Sequence, residues 1–133
     1  MFVYNTTVKM HDTDAAGILF FGNQFRMVHD AYEKYLEKIG FSFARILRKT
    51  NFFIPIVHAR ADYKAPLFVG DPIAIHVRIA RIGTTSFVLE YMLYDAKKRN
   101  VGTAKTVHVA INKKTKKKIL LPSLFRSALA RIK

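Results

Sequence analysis

The chain predicts an α+β domain in which an antiparallel sheet wraps one long helix. Three observations carry this. Between Asn23 and Ile39 the apolar residues Phe25, Val28, Ala31, Tyr32, Tyr35, Leu36 and Ile39 recur at steps of three and four, the pattern of a helix that buries one stripe. From Phe52 onward the period falls to two, most plainly where Ile73, Ile75, Val77 and Ile79 alternate with Ala74, His76, Arg78 and Ala80. Short turn-forming stretches separate the alternating runs, so hairpins can join them in succession into an antiparallel sheet of about five strands. Such a sheet curls, and its concave face would cover the helix stripe.

The elements follow in chain order. Phe2 to Lys9, rich in Val, Tyr and Thr, reads as a first strand, and an acidic loop succeeds it. The long helix ends at Gly40, a C-terminal cap, and Phe43 to Arg48 forms a second short helix. Ile54 to Leu67 is read as one long strand with Pro55 and Pro66 near its ends, where a strand tolerates proline. Gly70, Asp71 and Pro72 turn the chain into the Ile73 strand, and Gly83 and Thr84 turn it again into a strand marked by Phe87, Leu89, Tyr91 and Leu93. Lys97 to Asn100 makes a basic hairpin loop, Val101 to Asn112 a last strand, and Pro122 and Ser123 open a closing helix carrying Leu124, Leu129 and Ile132. No internal repeat or linker divides residues 1–133, so one domain is expected.

With 133 residues, half of them hydrophobic, the chain has the balance of a globular protein with one core. It holds no cysteine, which excludes disulfides, thiolate metal sites and a catalytic thiol. No apolar run approaches a membrane span and nothing resembles a signal peptide, so a cytoplasmic protein without a membrane partner is expected. The charge is uneven: 23 Lys and Arg face 9 Asp and Glu, and no acidic residue follows Asp95. Such a field attracts anions, whether phosphates, nucleic acid or an acidic protein, or it is simply a solvated basic hairpin. Neither zinc-finger spacing nor a ribonucleoprotein motif supports the nucleic-acid reading.

Chemistry concentrates between His11 and Gly40. Asp12 and Asp14 stand beside the flexible Gly17, and Ile18, Leu19, Phe20 and Phe21 run directly into the helix. Charge and large apolar side chains in so few positions mark a place where the surface folds into a cavity. From the residues alone, Asp14 reads first as the brace of a turn before a helix. His29 and Glu33, one helical turn apart, can pair on one face. No Gly-rich phosphate loop, metal-binding helix motif or serine nucleophile elbow is present.

The run from Asp12 to Asn23, with His29, Asp30, Ala31, Tyr32 and Glu33 on the helix and Pro55, Ile56, Tyr63, Pro66, Gly70 and Asp71 beyond it, resembles the hotdog-fold acyl-CoA thioesterases of the 4-hydroxybenzoyl-CoA type. Nearly the whole chain is covered, and the His29 to Glu33 stretch is most similar to the branch that hydrolyses 1,4-dihydroxy-2-naphthoyl-CoA. The resemblance implies that Asp14 is the catalytic carboxylate, acting as nucleophile or as general base on water, with no cofactor and no metal. A thioester carbonyl is already electrophilic, so an ionised oxygen at short range suffices for either route. It implies too that the backbone N–H groups of Phe21 and Gly22, at the positive end of the helix, receive the thioester oxygen. Phe21 stands where relatives often carry Tyr or His, and Gln24 where many carry Tyr; a backbone role survives both changes.

Gly17 and Gly22 would permit the close approach that such a site needs. His29 and Glu33 would touch the acyl ring or a hydroxyl on it, or form a plain surface ion pair. Of His11, His58, His76 and His108, His58 is the one expected to approach the cavity. Lys64, Arg78, Arg81, Lys105 and the Lys113 to Lys118 cluster are candidates for the coenzyme phosphates. A homodimer or homotetramer is implied. The rival readings are a thioesterase acting on an acyl carrier protein and a non-catalytic nucleic-acid binder.

Overall fold

A computed structural model describes residues 1–131, and the expected Ile132 of the closing helix lies outside them. Strand β1 (Phe2–Thr7) is followed by a single 3-10 turn (Met10–Asp12), helix α1 (Asn23–Lys38) and helix α2 (Phe43–Lys49). Then come β2 (Phe52–Phe53), β3 (Ile56–Tyr63), β4 (Pro72–Ile82), β5 (Ser86–Tyr94), β6 (Asn100–Val109), β7 (Ile111–Asn112) and α3 (Ser123–Arg131). Five strands form one antiparallel sheet in the order β1-β4-β5-β6-β3, and β2 pairs with β7. With α1 against the concave face, this is the hotdog arrangement.

The periodicities explain the core. On α1, Met27, Val28, Ala31, Tyr32, Tyr35 and Leu36 are buried, and the helix lies over Ile73, Ile75 and Val77 of β4 and Phe87, Leu89, Tyr91 and Leu93 of β5. Each of the larger aliphatic and aromatic side chains contributes roughly 1.5–3 kcal/mol on leaving water. Phe25, expected in the stripe, is only half-buried, and Met27 takes the inward position. The helix stops at Gly40, whose φ of +88° allows its N–H to reach the Glu37 carbonyl at 3.0 Å while the Phe41 N–H reaches Leu36 at 2.9 Å.

Four expectations need correction. Of the strands after α2, β4, β5 and β6 do pair in succession, but β3 crosses to the far edge and pairs with β6, leaving β4 to meet β1. The run from Ile54 to Leu67 yields only Ile56–Tyr63, because proline at 55 and 66 supplies no ladder N–H. The last strand breaks at Ala110 into β6 and β7. On α3 Leu129 turns inward as expected, but Phe125 and Ala128 join it and Leu124 is exposed; Phe125 sits among the rings of Phe41, Phe52 and Phe87 at 5.1, 5.5 and 5.6 Å.

Candidate active site

Two aspartates two residues apart have opposite surroundings. Asp12 is fully buried; its Oδ2 accepts the Lys9 N–H at 2.9 Å and its Oδ1 pairs with the Arg26 guanidinium. Its carbonyl takes the Phe20 N–H at 3.0 Å and the Asn23 amide at 2.9 Å, so it stitches the loop to the start of α1. Burial alone pushes the Asp12 carboxyl up, but the Lys9 amide, the Arg26 guanidinium and His11 together hold it below its ordinary value. Asp12 thus bonds within the loop through Lys9, and Arg26 is a partner that sequence spacing does not reveal.

Asp14 is exposed at the head of a tight loop that Gly17, at φ +76°, closes. Its Oδ1 accepts the Ala16 N–H at 2.9 Å and the Ile18 N–H at 3.4 Å, whereas its Oδ2 takes no hydrogen bond among the described residues. The loop therefore holds the carboxylate by one oxygen and leaves the other without a partner among the described residues.

The start of α1 is open in a complementary way. Its N-cap, Gly22, has no side chain to offer, and the N–H groups of Phe21 and Gly22 donate no hydrogen bond among the described residues. The Tyr63 hydroxyl donates to the Phe21 carbonyl at 2.7 Å. That carbonyl shares a peptide unit with the Gly22 N–H, so the bond both fixes the unit and polarises its donor. Gln24, buried beneath, donates to the Asp62 and Thr103 carbonyls at 3.3 and 3.0 Å and ties the helix start to β3 and β6. A Cβ at Gly102 would stand 2.8 Å from the Gln24 amide, so glycine there makes room for this tie. Tyr63 was legible as part of the family pattern, but neither its bond nor that of Gln24 has a signal in spacing.

Ile18, Leu19, Phe21, Gln24, Tyr63 and Lys64 line an open cleft of about 340 Å³ here. Further along α1 a smaller apolar recess of about 150 Å³ lies between the helix and β3, lined by Phe25, Val28, His29, Tyr32, Ile56 and Ala59 with Tyr91 and Thr106. Beside it, Tyr91 and Thr106 share a hydrogen bond at 2.9 Å, and Thr106 meets His108 Nε2 at 2.8 Å. Burial lowers the His108 pKa to about 4, with the Ile54 carbonyl opposing and His29 adding to the shift.

The remaining sequence-derived candidates divide. His29 and Glu33 do pair, Nδ1 to Oε1 at 3.3 Å, and the His29 ring stacks on Phe43 at the edge of the recess. Lys64 lies in the cleft. Arg78 and Lys105 lie on the outer face of the sheet around a groove of about 450 Å³, Arg78 bonded to Glu90 at 2.6 Å. Arg81 follows a register shift near the end of β4, remote from the Asp14 loop. The expected approach of His58 to the cavity is not met. Ile56 faces inward, and alternation would carry His58 to the same side, but a β-bulge between them inserts one residue, and His58 opposes Val107 on the outer face.

Comparisons with known proteins bear on the fold and the family. A 1,4-dihydroxy-2-naphthoyl-CoA hydrolase of Gloeothece citriformis (strain PCC 7424) is 34% identical over 99% of this chain and 94% of its own length. Among solved structures, a 1,4-dihydroxy-2-naphthoyl-CoA thioesterase from Synechocystis superposes with a TM-score of 0.90 at 32% identity, covering 97% of this chain and 95% of that one. A gentisyl-coenzyme A thioesterase gives 0.86 at 31% identity, covering 96% and 98%. Residues 8–129, from the end of β1 into α3, match the thioesterase-like superfamily, and the chain belongs to it.

Proposed function

We propose that the protein hydrolyses an aromatic acyl-CoA to the free acid and coenzyme A, with 1,4-dihydroxy-2-naphthoyl-CoA the first substrate to test and 4-hydroxybenzoyl-CoA the second. The observation that carries this reading is the pairing of one uncommitted carboxylate oxygen on Asp14 with two uncommitted N–H groups at Phe21 and Gly22. Asp14 would attack the thioester carbon or take a proton from water that does so. The carbonyl oxygen, as it gains charge, would be received by the two amides at the positive end of α1, and the coenzyme thiolate would leave. The acyl ring would run along α1 into the recess beside His29 and Tyr32. Lys64 is the phosphate candidate best placed, because it borders the cleft through which the pantetheine arm would exit. No cofactor enters this scheme, since coenzyme A is part of the substrate.

The same reading makes residues 1–133 one domain of a cytoplasmic homo-oligomer. The outer edge of β3 has no strand beside it among the described residues, and Ile56 and Val57 on it are exposed, which supports a second copy closing the recess. Light scattering that finds a stable, fully active monomer contradicts this part.

Thiol release from a panel of aromatic, fatty and carrier-protein thioesters tests the whole. Wild type should prefer an aromatic acyl-CoA, and Asp14→Asn should lower kcat/KM about a hundredfold or more while melting as wild type does. An equally active Asp14→Asn enzyme ends the assignment.

A further inference from the structure

The basic cluster Lys113–Lys118 lies far from the Asp14 loop. Strand β6 starts beside Tyr63 and finishes beside Ile56, and its ten residues at about 3.3 Å each put roughly 30 Å between its ends. The cluster follows β7, beyond the distant end, so within one chain it is not placed to meet a ligand at Asp14.

Its lysines are not equivalent. Lys113 donates through Nζ to the carbonyls of Ile46 (2.5 Å), Leu47 (2.9 Å) and Thr50 (2.6 Å), closing the C-terminus of α2. Lys116 donates to the Lys113 carbonyl at 2.5 Å, and both ammonium groups stand over the Phe53 ring. Lys114, Lys117 and Lys118 have no side-chain hydrogen bond or ion pair among the described residues, and the same holds for Arg48 and Lys49 on the last turn of α2. No acidic residue stands in α2, β2, β7, the Lys113–Lys118 turn or α3 to neutralise them.

Large aliphatic side chains protrude among these charges. Leu47 is 60% exposed, Leu120 68% and Leu124 73%. The positions are linked: Leu47 and Phe53 share an apolar groove of about 260 Å³ with Ile111, Ile111 bridges to Lys118, and Leu120 and Leu124 follow. Ile119 and Leu121 are pinned to the Ala110 and Thr84 carbonyls at 3.0 Å each, so the segment bearing Leu120 is held against the domain.

We propose that this end of the protein docks on an anionic lipid surface, with Lys114, Lys117, Lys118, Arg48 and Lys49 meeting the headgroup phosphates and Leu47, Leu120 and Leu124 entering the acyl boundary. Nucleic acid would satisfy the cations and leave three leucines in water. A charged, apolar-cored layer accommodates both at once. The protein would lie on the surface and not span it, and no described helix is long and apolar enough to cross. This revises the expectation that no membrane is involved, and it does not depend on the catalytic reading.

Sedimentation of the full chain with phosphatidylcholine vesicles, with and without phosphatidylglycerol, provides the test. The partition coefficient should rise about tenfold or more with the anionic lipid and fall as salt is added. The triple variant Lys114→Glu, Lys117→Glu, Lys118→Glu should abolish that rise, and Leu120→Ser with Leu124→Ser should weaken binding severalfold. Melting curves should match wild type, since none of these side chains is buried. Binding equal to wild type in the leucine variant overturns the proposal, as does duplex DNA that outcompetes vesicles independently of the leucines. Absence of vesicle binding also overturns it; if the lysine triple then raises KM for acyl-CoA, the cations serve the substrate phosphates instead.

Discussion

The two helices that flank Gly40 begin differently. At the start of α2 the Ser42 hydroxyl accepts the Arg45 N–H at 3.2 Å, and Lys113 closes its other end, so both poles are occupied from within the chain. At the start of α1 glycine occupies the cap and two N–H groups ahead of the helix have no partner among the described residues. Seven residues of α2 are sealed at both ends; sixteen residues of α1 are left open at the pole where, on the proposed mechanism, the thioester oxygen is received. An unmet donor costs stability, and here it is supported by a loop that holds everything around it.

Acidification strains this contrast most. His108 in the folded chain ionises near pH 4, and in the unfolded chain near its ordinary value of 6.5. Between the two the unfolded state binds the extra proton, so stability is complete above about pH 6.5 and falls by up to ~3 kcal/mol on descending to about pH 4, with no further loss from this group below that. Denaturant titrations across that window should show the slope, and His108→Phe should flatten it. Asp12 contributes at lower pH: its depressed value adds stability above its unfolded pKa that disappears as pH falls through the folded one.

Next in size is Asp12→Ala, which leaves Arg26 weakly paired and the Lys9 N–H without its acceptor, while the Phe20 and Asn23 bonds to the backbone carbonyl at 12 remain; because Arg26 is partly exposed, a loss of about 2 kcal/mol is expected by chemical denaturation. If the open start of α1 depends on that loop, hydrolysis should fall with it even where the protein is fully folded. Tyr63→Phe removes only the bond to the Phe21 carbonyl and should lower kcat about three- to tenfold with little change in KM, because on the proposed mechanism the donor it polarises acts on developing charge. A rise in KM alone would make Tyr63 a ground-state contact. Smallest is Ser42→Ala, costing about 1 kcal/mol in melting experiments and leaving hydrolysis at the wild-type rate. An equal catalytic loss at Ser42 would erase the distinction between the two helix starts.

Local pattern was legible and pairing between distant segments was not. The stripe of α1, its Gly40 stop and the alternation of β4 and β5 follow from residues a few positions apart. The place of β3 depends on residues around 103 to 108, which no short window contains. The bulge at Val57 reversed the face of His58 by a single inserted residue, a shift that composition does not encode. Asp14, Phe21 and Gly22 were singled out by the resemblance alone, whereas the bonds that brace the start of α1, from Tyr63 and Gln24, link side chains to carbonyls across the fold. Lys113 looked like one charge in a run, and only the nearby carbonyl end of α2 gives it a separate task.

The crossed position of β3 also sets an order of events during synthesis. Ile56 pairs opposite His108, so the strand leaves the ribosome before its partner has been made. At about 5–20 residues per second the wait for roughly 50 further residues lasts several seconds. During that interval α1 has no completed sheet to cover and β3 has two open edges. The nascent chain is therefore most vulnerable to aggregation just before β6 emerges, and insertion of that one central strand completes the sheet.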